Sequence, residues 1–298
     1  MKNIFAAIVI MLFQYPLLAD WIFQTSGTYN PLQSVHFVNQ NIGYIVGLYG
    51  TILKTTNGGT DWIQLAGVPN FTFRGVFFTD QNNGWAVGTG GVILHTTDGG
   101  ELWFSQNSGT THELYQVVFT DSLHGWISGD WGVMLYTPNG GTTWISLTTG
   151  LNSSIFSVNF INSNYGWAVG ALGKIIHTTN GGSEWLSQVS GTAQPLYSVF
   201  FKDESNGWVV GDYGNILHTT DGGNVWFNQT SGSSQLLEEV QFTSMYNGWV
   251  VGTSGTILHT TDGGNNWFLD FDAGWNNLYS VSFVDSLNGW AVGDQGMI

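Results

Sequence analysis

The chain contains no cysteine. That excludes disulfides, thiolate metal sites, a cysteine nucleophile and lipid attachment at a thiol, so the fold must stand on packing alone. Basic residues are nearly as scarce. Lys2, Lys54, Arg74, Lys174 and Lys202 face twenty acids, for a formal charge of −15. Binding nucleic acid through counterion release needs a surface rich in lysine and arginine, so no nucleic-acid partner is expected. An anionic membrane surface is excluded for the same reason. Only 8% of the residues are charged, too few for long solvated helices. Beyond the first twenty residues no segment is apolar enough to span a bilayer, so no membrane insertion is expected of the mature chain.

The abundant residues tell the complementary story. Forty-two glycines and fifteen tryptophans in 298 residues suit many short strands joined by tight turns. The N-terminus, MKNIFAAIVIMLFQYPLLAD, joins Lys2 to an apolar run over 4–13 and ends in Pro16 and small Ala19. It reads as a signal peptide over 1–19, cleaved before Asp20, and predicts a secreted, periplasmic or cell-envelope protein.

The rest of the chain is organised by a period of 41 residues, seen in Gly47, Gly88, Gly129, Gly170, Gly211, Gly252 and Gly293. An aromatic column runs in register with it: Tyr44, Trp85, Trp126, Trp167, Trp208, Trp249 and Trp290. A second tryptophan column begins at Trp21 and ends at Trp267, and the valines from Val35 to Val281 are each followed two residues later by phenylalanine. In the unit 196–232, alternating β-branched and aromatic residues predict strands at 197–201, 207–211, 215–219 and 226–230. Four short strands in about 40 residues make one β-propeller blade. Counting repeats predicts an all-β, seven-bladed propeller over 20–298, in which segment 21–27 supplies the outer strand of the last blade and closes the ring. The last repeat stops at Ile298, which aligns with mid-strand Ile52. The final blade is therefore expected to be incomplete, as in a fragment of a longer gene.

Between the third and fourth strands recurs Ser/Thr-x-Asp/Asn-x-Gly-x-x-Trp, as in Thr55 to Trp62 and Thr260 to Trp267. This string resembles the Asp-box, or BNR repeat. Together with the GWAVG strands, it makes the chain similar to the photosystem II stability and assembly factor family. That resemblance implies a non-catalytic scaffold that chaperones a protein client. The arginine-rich patch of that family has no counterpart here, which points to an exported relative in a bacterial envelope or extracellular space with its own client.

The third position of the box reads Asn57, Asp98, Asn139, Asn180, Asp221 and Asp262. Since amide and acid alternate, the position supplies a side-chain oxygen that accepts backbone N–H groups, and its role is structural. The box tryptophan is expected to pack against its own blade. His95, His177, His218 and His259 share one column with Lys54 and Tyr136, and one position per blade cannot converge on a metal. No metal, cofactor or catalytic residue is predicted.

In so regular a chain, departures from the pattern are the candidates for function. Trp131 and Trp275 lie outside both tryptophan columns and map to the face opposite the Asp-boxes. Turn and loop positions Tyr49, Phe71, His112, Glu113, Asp130, Asp212, Tyr213 and Asp294 fall on the same face, with Arg74 and Glu238 at the start of inner strands. Aromatics rimmed by acids there predict capture of a protein or carbohydrate ligand by a monomer. A sialidase would need three arginines and only Arg74 exists. The remaining enzymatic alternative is a glycoside hydrolase of neutral glucans, or a lectin, built on the same fold.

Overall fold

The computed structural model describes residues 21–298, so the signal peptide expected over 1–19, and Asp20, lie outside the described residues. The described residues form seven consecutive antiparallel sheets arranged around an axis, each running from an innermost to an outermost strand in chain order. The innermost strands are Leu32–Phe37, Phe73–Phe78, Leu114–Phe119, Ile155–Phe160, Leu196–Phe201, Leu237–Phe242 and Leu278–Phe283.

The expectation of seven four-stranded blades is corrected. Six blades have four strands, and the last sheet has two, Leu278–Phe283 and Gly289–Gly293. The third strands of the six blades hold four or five residues, whereas after the last turn no third or fourth strand forms among the described residues. What forms is one isolated bridge between Thr25 and Met297, and one bond from the Gln24 amide to the Ile298 carbonyl at 2.9 Å.

Packing between sheets explains the repeat columns. The second strand of each four-stranded blade, such as Gly166–Gly170, is buried throughout. Trp167 stacks on Phe201 of the next blade with ring centroids 3.6 Å apart, and on His177 of its own blade at 4.6 Å. Trp290 stacks in the same way on Phe37 of the first blade, at 3.4 Å, so the circle is closed by the contact that joins every other pair of sheets. Glycine precedes each of these aromatics because a Cβ on Gly207 would lie 2.5 Å from the Phe201 ring.

A second seam runs nearer the axis. Side chains of Ser34, Gln116, Ser157, Ser198, Glu239 and Ser280 each accept a hydrogen bond from a valine amide on the next inner strand, at 2.7 to 3.3 Å. The remaining member of that column is Gly75, whose Cβ position faces the Tyr115 carbonyl at 2.8 Å, so backbones meet there directly. Among the described residues no helix is long and apolar enough to cross a membrane.

Candidate functional site

One end of the disc carries the Asp-boxes, and its geometry is uniform. In all six boxes the threonine hydroxyl accepts the amide of the second glycine at 2.8–2.9 Å. The Oδ1 of Asn57, Asp98, Asn139, Asn180, Asp221 and Asp262 accepts the amide four residues on, at 2.9–3.0 Å. The Leu102 amide and Thr96 hydroxyl hold the Asp98 carboxyl below its usual range, and the Val225 amide and Thr219 hydroxyl do the same for Asp221. The carboxylate and carboxamide boxes are otherwise alike.

The box tryptophan does more than pack on its own blade. Trp144 meets Phe119 of its blade edge to face, yet its indole N–H donates to Gln106 on the outer strand of the preceding blade at 2.9 Å. Trp62, Trp226 and Trp267 reach back to Gln24, Gln188 and Gln229 in the same manner. Trp103 and Trp185 lack this partner, because Leu65 and Leu147 occupy the glutamine position. The four column histidines each stack on a tryptophan, and their buried Nε2 atoms find no hydrogen-bond partner. Among the described residues no three His, Cys, Asp or Glu side chains gather where they could hold a metal ion.

The opposite end is irregular, for two local reasons. First, every inner strand pairs with its neighbour through a register shift just after its first residue. Such a bulge leaves one residue unpaired and re-aims its side chain. In all seven sheets that residue, from Gln33 and Arg74 to Glu238 and Tyr279, lines the central channel, which encloses about 310 Å³. Second, each second-to-third-strand turn places its middle residue in the left-handed region: Tyr49, Trp131, Leu172, Tyr213, Ser254 and Gln295 have φ of 54–60°, and Gly90 takes the seventh place. A non-glycine residue there costs of order 1–3 kcal/mol and persists only where the surroundings impose it. Even so, Tyr49, Trp131, Leu172 and Tyr213 project into solvent, between 64% and 73% exposed.

The residues singled out by sequence are distributed among four places. Arg74 donates to Glu113 and to Gln33, each at 2.6 Å, across the mouth of the channel. His112 lies 6.4 Å from the Trp131 ring, and Asp130 accepts the Ser154 hydroxyl at 2.6 Å, so these five residues form one cluster over the second and third blades. Tyr49 and Phe71 are joined through backbone, the Gly50 amide bonding the Phe71 carbonyl at 2.7 Å. Asp212 and Glu238 adjoin each other near Tyr197, and Asp294 accepts the Tyr279 hydroxyl at 2.8 Å. Trp275 is 96% exposed and borders a separate groove with Gln235, Ser254 and Leu269. No ring contact among the described residues joins it to Trp131.

Three features escape sequence reasoning. Leu172 belongs with the exposed tips, and its place in GALG, in register with GDWG and GDYG, is the signal. Glu239 is the one carboxylate in a column of serine, glycine and glutamine. Burial pushes it up to about 7, against the bonds from Ser280 and the Val281 amide. The bulge itself is written in the strand pattern Leu-x-x-Val-x-Phe of most repeats, where two residues separate the first two buried apolar side chains.

Six sheets with an identical boxed turn, ringing a channel, define an Asp-box β-propeller. The chain belongs to the family described as photosynthesis system II assembly factor YCF48, which matches residues 16–106, 102–195 and 187–269. Among solved structures, YCF48 bound to D1 peptide is 21% identical, with a TM-score of 0.78 over 95% of this chain and 97% of that one. YCF48 from Cyanidioschyzon merolae is 22% identical, with a TM-score of 0.78 over 93% and 97%. The GH74 enzyme of Niastella koreensis shares the fold at 15% identity and a TM-score of 0.74, the match covering 92% of this chain and 53% of that one. No curated protein matches the sequence.

Proposed function

We propose that this protein is an exported, monomeric binding scaffold that captures a segment of a protein client on the face opposite its Asp-boxes, without catalysis. The observation that carries the reading is the set of exposed aromatic and aliphatic tips held at positive φ. Gly90 marks what the turn would take if only the turn mattered, and strain retained elsewhere for an exposed tyrosine, tryptophan or leucine points to use of the side chain. Membership of a family named for an assembly factor, and a structural relative described as bound to D1 peptide, support a peptide-like client. The signal-like segment 1–19 supports export.

The test is the double variant Trp131→Ala with Trp275→Ala, compared with the parent protein in capture of proteins from the envelope fraction and in thermal unfolding. Loss of capture with unchanged melting is expected. Capture at parental strength would remove this face as the docking surface, and retention of a neutral glucan in its place would favour the carbohydrate reading. N-terminal sequencing of the mature protein, expected to begin at Asp20, tests export.

A further inference from the structure

We propose that the channel mouth on the loop face is a seat for an alkylammonium or guanidinium cation, held between the aromatic wall of Tyr115, Phe156 and Tyr197 and the carboxylate of Glu238. The inference rests on the reading of that face as the docking surface and says which chemistry the client inserts.

The geometry starts from the bulges. Because the unpaired residue of each inner strand faces the axis, consecutive sheets set consecutive side chains around the mouth. Tyr115 and Phe156 meet edge to face at 5.4 Å, and Phe156 and Tyr197 lie nearly parallel at 5.1 Å, so three neighbouring sheets present a continuous aromatic wall. The next residue around the ring is Glu238. Among the described residues no hydrogen bond reaches its carboxylate, whereas every other acid at the mouth except Asp212 is bonded or paired: Glu113 to Arg74, Asp130 to Ser154, Asp294 to Tyr279 and Glu239 to the Val281 amide.

An aromatic wall beside one unpaired carboxylate is the arrangement that receives organic cations, because the ring faces and the carboxylate attract positive charge while the rings tolerate the alkyl stem. The electrostatics act in the same sense. Burial, then Asp212 and then Glu239, push the Glu238 carboxyl up to about 7, and Arg74 offsets this only in part from across the channel. Burial, then Asp212 and Glu238, raise the Tyr197 hydroxyl, and burial, then Asp294 and Glu238, raise that of Tyr279. A cation seated there would offset the repulsion of Glu238 by Asp212 and Glu239. The one resident cation, Arg74, is committed to Glu113 and Gln33. The channel, at about 310 Å³, is at the small end of ligand pockets and accepts one side chain more readily than a folded element.

The experiment titrates the whole protein by calorimetry with acetyl-Gly-Lys-Gly-amide and its arginine counterpart, with the neutral glutamine counterpart, and with n-butylammonium. Saturable binding of the lysine or arginine peptide, at least about tenfold tighter than the glutamine peptide, is expected, tightening between about pH 6 and pH 8 as Glu238 ionises. Glu238→Gln should weaken the cationic peptides about tenfold, and that side chain already stands in the column as Gln33. Tyr197→Leu should weaken them with Glu238 intact. Equal affinity for peptide and n-butylammonium would make the cation itself the ligand; preference for the peptide would place it on a chain segment. Either supports the seat. No saturation at millimolar peptide, equal binding of the glutamine peptide, or full binding by Glu238→Gln with parental melting would overturn it. The tip variants Trp131→Ala and Trp275→Ala should leave these small probes unaffected, so failure of the docking face and failure of the seat read out separately.

Discussion

The two ends of the disc are made by the same repeat and behave oppositely. At the Asp-box end, six turns agree in every principal hydrogen bond, and acid and amide exchange without altering the geometry. At the loop end the backbone is just as regular, with a bulge and a positive-φ tip in every sheet, while the side chains placed on it vary from glycine to tryptophan. Repetition of backbone with variation of side chain is what a display surface needs. Uniformity at the other end is what holds it still.

The sharpest way to break the contrast is at the boxes. Thr178→Val removes the acceptor of the buried Gly182 amide and should cost about 2–3 kcal/mol in denaturant unfolding. Asp98→Asn should leave the unfolding midpoint almost unchanged in the same measurement, since Asn57, Asn139 and Asn180 make the equivalent bond. A loss for Asp98→Asn as large as that for the threonine would show that the charge, too, is needed.

On the channel side, Glu239→Gln keeps an oxygen for the Val281 amide, as Gln116 does for Val158. The folded state holds the Glu239 proton up to about pH 7, above the ordinary carboxyl value of 4.5, so ionisation there is a cost that grows as pH rises through that window. The substitution should therefore stabilise by up to about 2 kcal/mol at pH 8 and by almost nothing near pH 4.5.

Smaller effects lie between blades. Leu65→Gln and Leu147→Gln should each give the unpartnered indole N–H of Trp103 or Trp185 the acceptor its equivalents have, raising stability by about 0.5–1 kcal/mol. The stacked histidines titrate in the opposite sense from Glu239. Burial lowers the pKa of His95, His177, His218 and His259, so their contribution is complete above 6.5 and is lost as pH falls below it. The melting temperature should drop on acidification, and replacing all four with tyrosine, the residue of the same column at Tyr136, should flatten that slope.

How much of this was legible follows from the same contrast. The aromatic columns announce the sheets because each is one half of a stack, Trp208 on Phe242 at 3.7 Å for example, repeated at fixed spacing. The expected seventh four-stranded blade fails for a physical reason: a column is counted in single residues, whereas a strand needs a run of partners, and the Thr25–Met297 bridge stands alone. Arg74 and Glu238 stand out as departures, but their direction, toward the axis, comes from a bulge whose only trace in the sequence is the two-residue gap between the first apolar positions of the strand. Trp131 and Trp275 share an end of the disc by topology, and only coordinates show that they border different hollows.

The break in the inner seam at Gly75 carries one more consequence. Six junctions between neighbouring inner strands are tied by a side chain, and the junction of the second and third blades is bridged instead by the Arg74–Glu113 ion pair at its rim. Mobile ions loosen a partly solvated pair of this kind and leave the other six ties untouched. Deuterium uptake at the Val117 amide should accordingly quicken in concentrated brine ahead of the corresponding valines, making that spoke the disc's natural place to gape.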